Sequence, residues 1–280
     1  SDNMTVAKCT GALEENSLSW YQENGIFANK PMTEGAGQYR AISRLAFEYA
    51  VYEEKINELE RVIRQLNELS IEDSEQQIRF YVINSLAGGT GSGIALPLVL
   101  YLNHFFMEEF GEANFTCKGF FLLSSSIKQL GGARLEQDSV DANAYAAVKE
   151  LSAYMRVADS REDRYRNLNE GVEKNANMTD AMGYGKAYDY CFLFGMLNQK
   201  GRGVHSFEDL KNLVANAVYV QACSPLHDKN SSMEDNTIKH MMQLAQKRGE
   251  NFLSRFGGIG CGELVYPYEK LKRYLAFQWA

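Results

Sequence analysis

Phe80-Tyr81-Val82-Ile83-Asn84-Ser85-Leu86-Ala87-Gly88-Gly89-Thr90-Gly91-Ser92-Gly93 runs directly into Ile94-Ala95-Leu96-Pro97-Leu98-Val99-Leu100-Tyr101-Leu102. The first part is a short apolar run and reads as a buried strand; the last part is apolar over a helical length. Between them, four glycines fall within six residues: Gly88, Gly89, Gly91 and Gly93. Glycine lets a backbone pass close to a ligand and adopt φ > 0. The amides of such a turn, with those of the following helix, converge on one point and suit an anion such as phosphate. Thr90 and Ser92 add hydroxyl donors or caps. Pro97 is expected early in the helix, where a missing N–H costs least.

Two familiar phosphate loops are excluded. The stretch has no Gly-Lys-Ser/Thr, and its glycine spacing fails the dinucleotide fingerprint. That spacing also disfavours a Rossmann-type oxidoreductase.

Outward from this centre, small residues at Gly35, Ala36 and Gly37 open a helix expected over residues 41–69. Ile42, Leu45, Tyr49, Tyr52, Ile56, Leu59, Ile63 and Leu66 keep its period of three to four. Downstream, residues 115–123 and 188–197 read as further strands, and 141–157 and 207–222 as helices; 124–138 reads as a polar loop. Residues 159–180 are the most charged segment. A helix at 237–253, a short strand at 263–266 and a closing helix complete the chain. Strands alternating with helices predict an α/β fold, a mostly parallel sheet with helices on both faces. The expected division is a nucleotide-binding domain over 1–223 and a helix-strand-helix extension over 224–280, a remnant of a second domain.

Composition narrows the partners. The chain of 280 residues carries 29 basic and 36 acidic residues, a net charge of -7, with no basic stripe for nucleic acid. The longest apolar run, 94–107, is broken by Asn103 and His104, so no membrane span is expected. Five cysteines and four histidines share no metal-ligand spacing, and neither a protein metal site nor a disulfide framework is expected. Reduced thiols and the lack of a signal-peptide pattern point to a cytoplasmic protein.

The loop from Ala87 to Gly93 resembles the signature of the tubulin/FtsZ superfamily, Gly-Gly-Gly-Thr-Gly-Ser/Thr-Gly, with Ala87 in the first glycine position. The resemblance extends over about residues 16–223, and the tail around residues 254–270 is similar to the bacterial tubulin-like branch. It implies a tubulin/FtsZ-like nucleotide-binding domain that takes GTP or GDP with Mg²⁺, self-assembles as a homo-oligomer or filament, and acts as a GTPase when assembled. Gly35, Ala36 and Gly37 resemble the family's γ-phosphate loop. Ala87, Gly88, Gly89, Thr90, Gly91, Ser92 and Gly93 would hold the β-phosphate region. Glu136 and Asp141 resemble ribose contacts, Asn198 the guanine-reading Asn, and Phe207 the aromatic stacked on the base. Lys211, or Asn212 after a one-residue slip, stands where a second guanine-reading Asn belongs. Asp228, Glu234 and Asp235 are the acids nearest the place of the family's catalytic loop.

Departures from the pattern shape the expectations. No glycine cluster precedes Gly35, so the chain is expected to lack the family's first strand and first Gly-rich loop. Slow or absent GTP hydrolysis follows, as does guanine selection looser than tubulin's. A valine at Gly89 or Gly91 is expected to abolish nucleotide binding by filling phosphate space while leaving the fold intact. The alternative is a tubulin-like scaffold or interaction module that binds nucleotide weakly or not at all.

Overall fold

The parallel pairing of β1 (Ile78–Ser85) with β2 (Phe115–Leu122) is the centre of a computed structural model that describes residues 4–13, 18, 20–22, 25–72, 78–110, 115–129, 137–160, 187–197, 200–225, 232–233, 236–237, 240, 255–260 and 268–279. Ile78 stands beside Phe115 and Ser85 beside Leu122. β3 (Tyr190–Phe194) adds to β2, and β4 (Phe256–Gly257) to β3, all parallel, so spatial order follows chain order. The strands are near-continuous apolar runs because both faces of the sheet carry helices.

Side-chain alternation divides these runs between two cores. On one face, Phe80, Val82, Cys117, Phe121 and Cys191 meet Val99 and Phe106 of α4 (Gly89–Phe110) and Leu151 and Tyr154 of α6 (Gln137–Ser160). On the other, Tyr81, Phe120, Phe192 and Phe194 meet Leu210, Val214 and Ala217 of α7 (Phe207–Ala222). Fully buried aromatics such as Phe120 and Phe121 contribute roughly 1.5–3 kcal/mol each. The buried Tyr188 hydroxyl donates to the Ala95 carbonyl at 2.5 Å, tying the approach to β3 to α4. Burial holds that phenol in its neutral form, well above its ordinary pKa.

The α/β architecture agrees with expectation, and several boundaries do not. The helix expected over 41–69 is two helices, α2 (Arg40–Tyr52) and α3 (Asn57–Glu72), separated by a turn in which Glu54 is left-handed at φ 55°. Their main apolar stripes face different cores. Ile42, Leu45 and Tyr49 pack with Val6 and Cys9 of α1 (Val6–Ala12), whereas Ile56, Leu59 and Ile63 pack with α4 and the sheet. α2 also turns Phe47 and Val51 to the α4 core, so it bridges the two.

α4 begins at Gly89 rather than after the glycines, which places Pro97 inside the helix and removes the N–H that would reach the Gly93 carbonyl. The loop expected at 124–138 contains α5 (Ser124–Lys128), and α6 starts at Gln137. α8 (Tyr268–Trp279) is the closing helix. The strand expected at 263–266, the charged residues 161–180 and nearly all of 237–253 lie outside the described residues.

Candidate functional site

The carboxyl end of a parallel sheet is where loops gather and ligands bind. β1 ends there at Ser85, Leu86 N–H donates to Leu122 O at 3.0 Å to extend the ladder, and residues 86–88 bend into α4. The free amides of α4's first turn therefore point out of the sheet's end. Ser92 is buried, and its hydroxyl donates back to the Gly88 carbonyl, so it stiffens the turn from within. Thr90 is exposed.

A second glycine turn lies against this one. Gly35 has φ 77° and ψ 174°, a region essentially reserved for glycine. Gly37 at φ 55° and Gln38 at φ 68° follow, and Tyr39 N–H closes the turn on Ala36 O at 3.1 Å. Asn143 of α6 donates its amide to Gln38 O at 2.8 Å and lies 3.3 Å from Ala87 O. One buried side chain thus joins the two turns. The Ser43 hydroxyl of α2 sits 2.6 Å from Gly89 O.

Arg40, at the start of α2, reaches three ways. Nη1 donates to Glu150 Oε1 at 2.9 Å, and Nη2 donates to Ser92 O at 3.1 Å and pairs with Glu150 Oε2. Lys30 Nζ comes within 3.5 Å of the place where a Gly37 side chain would begin. Gln38 Nε2 and Asn84 Oδ1 are buried with no hydrogen-bond partner among the described residues.

The glycines sort into two kinds. A Cβ on Gly89 would come within 2.8 Å of the Gln38 backbone. One on Gly91 would collide with the Ser85 carbonyl, and one on Gly93 with the Ser43 hydroxyl and the Arg40 carbonyl. These three glycines admit other parts of the chain. A Cβ on Gly88 or Gly35 would meet nothing within 4 Å. The expectation that valine at Gly89 or Gly91 would spare the fold is therefore overturned, since the space beside them holds backbone. Within the two turns, Gly88 and Gly35 are the glycines with open space beside them.

The other candidates are placed unevenly. Asp141 lies two residues before Asn143 on α6, but its carboxylate receives Lys128 Nζ at 2.5 Å and is half-exposed. That bond and one from Ser124 hold its pKa below the usual value. Phe207 and Lys211 line a groove beside α7 with Ile83 and Leu122, and Lys211 Nζ pairs with Glu208 Oε2 at 2.5 Å. Asp209 N–H donates to Ser206 Oγ at 3.0 Å, and that hydroxyl donates to Asp209 Oδ2 at 2.7 Å, a helix cap. Glu136, Asn198, Asp228, Glu234 and Asp235 lie outside the described residues.

Sequence reasoning missed Asn143, Ser43, Arg40 and Lys30. Asn143 had a visible signal, because it falls on the inward stripe of α6 with Val140, Ala144 and Ala147. Among the described residues, no cluster of three His, Cys, Asp or Glu could hold a metal, and no helix is long and apolar enough to cross a membrane.

A family model described as tubulin like matches residues 3–280. No curated protein and no solved structure matches the chain significantly.

Proposed function

The chain belongs to the tubulin-like family, and on that premise we propose that it is a nucleotide-binding protein holding the phosphates of GTP or GDP between its two glycine turns. The observation that carries this reading is the pairing of the turns: open backbone at Gly35 and Gly88, bracketing the amino terminus of α4. Helix amides and left-handed glycines both turn N–H groups toward an anion. The unpartnered Gln38 Nε2 is a further donor at the same turn, and Lys30 brings positive charge beside Gly37. These groups fit a polyphosphate. Mg²⁺ would be carried mainly by phosphate oxygens and water, as that ion prefers. A bound nucleotide supplies a phosphoanhydride, and this chain's own groups bind and orient it.

Base recognition rests on fewer groups. Phe207 stacks on either purine without discrimination. Lys211 offers donors only, so it does not accept the N1–H and N2–H₂ protons of guanine. The expected preference for GTP over ATP is below about a hundredfold, under roughly 3 kcal/mol. Self-assembly that promotes hydrolysis is the wider role this family membership supports.

Titration with fluorescent GTP, GDP and ATP tests the reading, with Gly88→Val as the probe. The valine should leave thermal stability unchanged and lower nucleotide affinity by about a hundredfold or more, about 2.7 kcal/mol. A native chain that binds no nucleotide would favour the alternative, a tubulin-like scaffold. Unchanged affinity in a folded Gly88→Val chain would move the phosphates elsewhere.

A further inference from the structure

The carbonyl oxygens of the α4 turn are held from behind by side chains. Ala87 O faces the Asn143 amide at 3.3 Å, and Gly88 O receives the Ser92 hydroxyl. Gly89 O takes the Ser43 hydroxyl at 2.6 Å, Gly91 O the Asn84 amide at 3.4 Å, and Ser92 O the Arg40 guanidinium at 3.1 Å. A backbone anion site depends on such ties. A carbonyl swung toward a phosphate would repel what the neighbouring N–H groups attract.

Asn143 bonds to both turns. Its Nδ2 carries two hydrogens, and it stands 2.8 Å from Gln38 O and 3.3 Å from Ala87 O. The residue is only 9% exposed, so these bonds replace its water. Gln38 is left-handed at φ 68° without being glycine, a backbone state that persists only where its surroundings over-determine it. Asn143 fixes its carbonyl, and its backbone fills the space that a Gly89 side chain would occupy. Its Nε2 is buried with no partner among the described residues. A dry, unpaired donor beside open glycine backbone suits an anion's oxygen.

The fold also gives the site a direction. Phe207 packs with α7 on one face of the sheet. The Gly35 turn is tied to α6, whose Ala147 and Leu151 pack on the opposite face. A nucleotide whose base lies at Phe207 and whose phosphates cross the amino terminus of α4 presents its last phosphate to the Gly35 turn. Resting on the phosphate reading above, we infer that Asn143 is a positioning residue: it fixes the gap between the turns, and that gap makes the site favour a nucleoside triphosphate over the diphosphate. The diphosphate engages the α4 turn, and the third phosphate adds the Gly35 turn only while Asn143 holds the two in register.

Titration of the native, Asn143→Leu and Asn143→Ser chains with GTP, GDP, tripolyphosphate and pyrophosphate tests the inference. The native chain should bind GTP about tenfold more tightly than GDP. Asn143→Leu removes both donated bonds and should bring that ratio close to one. Asn143→Ser keeps one donor, which serves one carbonyl at a time. It should lose the same advantage, and it carries the test if the leucine chain does not fold. Tripolyphosphate and pyrophosphate should follow the same pattern with no base present. Each ratio is taken within one chain, so a partly unfolded sample lowers both affinities together and leaves the ratio unmoved. A folded Asn143→Leu or Asn143→Ser chain with the native ratio would overturn the inference and leave the amide a structural link. So would a native chain that binds GTP and GDP equally. A native chain that binds none of the four ligands would overturn the phosphate reading itself, and this inference with it.

Discussion

Two glycine-rich turns meet at the end of β1, and they use glycine for opposite reasons. In the turn that opens α4, Gly89, Gly91 and Gly93 make room for the protein itself: the Gln38 backbone, the Ser85 carbonyl, and the Ser43 and Arg40 oxygens. In the turn at Gly35 and Gly37, glycine answers a backbone requirement, with φ of 77° and 55°. One set is defined by its neighbours and the other by its torsion angles. A run of glycines is therefore a composite signal, and only Gly88 in the α4 turn has open space beside it.

Substitution separates these roles, and the largest effect belongs to the crowded set. Gly91→Val should destabilise the fold by about 3 kcal/mol or more, since backbone is displaced rather than a flexible side chain. Chemical denaturation checks this; a Gly91→Val chain as stable as the native protein would show that the α4 turn is not packed as described. Gly35→Ala should cost about 1–3 kcal/mol through strain alone, with no collision. Its unfolding midpoint should fall while Gly88→Ala, measured in parallel, stays near native. Equal losses at the two positions would erase the contrast.

Lys30→Met sharpens the comparison on the ligand side. It should lower GTP affinity by about tenfold, or 1.4 kcal/mol, and flatten the salt dependence of binding while leaving the fold intact. An unaltered salt profile would place Lys30 outside the phosphate field.

The smallest effect lies behind the Gly35 turn. Glu48 is buried on α2, where desolvation raises its pKa, and Arg44 and Trp20 partly oppose that rise. The folded state then holds the proton more tightly than the unfolded chain. Stability contributed by this group is greatest below the ordinary value of 4.5 and falls as pH rises through the raised folded value. Glu48→Gln should remove that slope, a change on the order of 1–2 °C in melting temperature. Parallel pH profiles for the two proteins would assign the effect to another group.

What was legible in the sequence follows the same physics. β1, β2 and β3 were readable because apolar runs of strand length bounded by polar residues belong in the sheet, and α7 because Leu210, Leu213, Val214 and Ala217 keep a helical period. β4 was not readable, since Phe256 and Gly257 form a strand of two residues. The break between α2 and α3 escaped because the apolar period continues through it, and the left-handed residue there is Glu54, neither Gly nor Pro. The α4 turn was recognisable as a motif, yet which of its glycines face open space depends on Gln38 and Ser43, far away in sequence. Sequence spacing cannot distinguish a missing Cβ that admits a ligand from one that admits a neighbouring chain segment.

Arg40 carries a further consequence. Its guanidinium spans Glu150 on α6 and the Ser92 carbonyl on α4 from the first residue of α2. With Glu150 lost, a largely buried positive charge would have only a carbonyl for company; with Arg40 lost, three helices would lose a common anchor. Neither change has a mild single-step route, because each intermediate leaves the other partner unpaired. Across the divergence of related chains, positions 40 and 150 should therefore change as a pair or not at all.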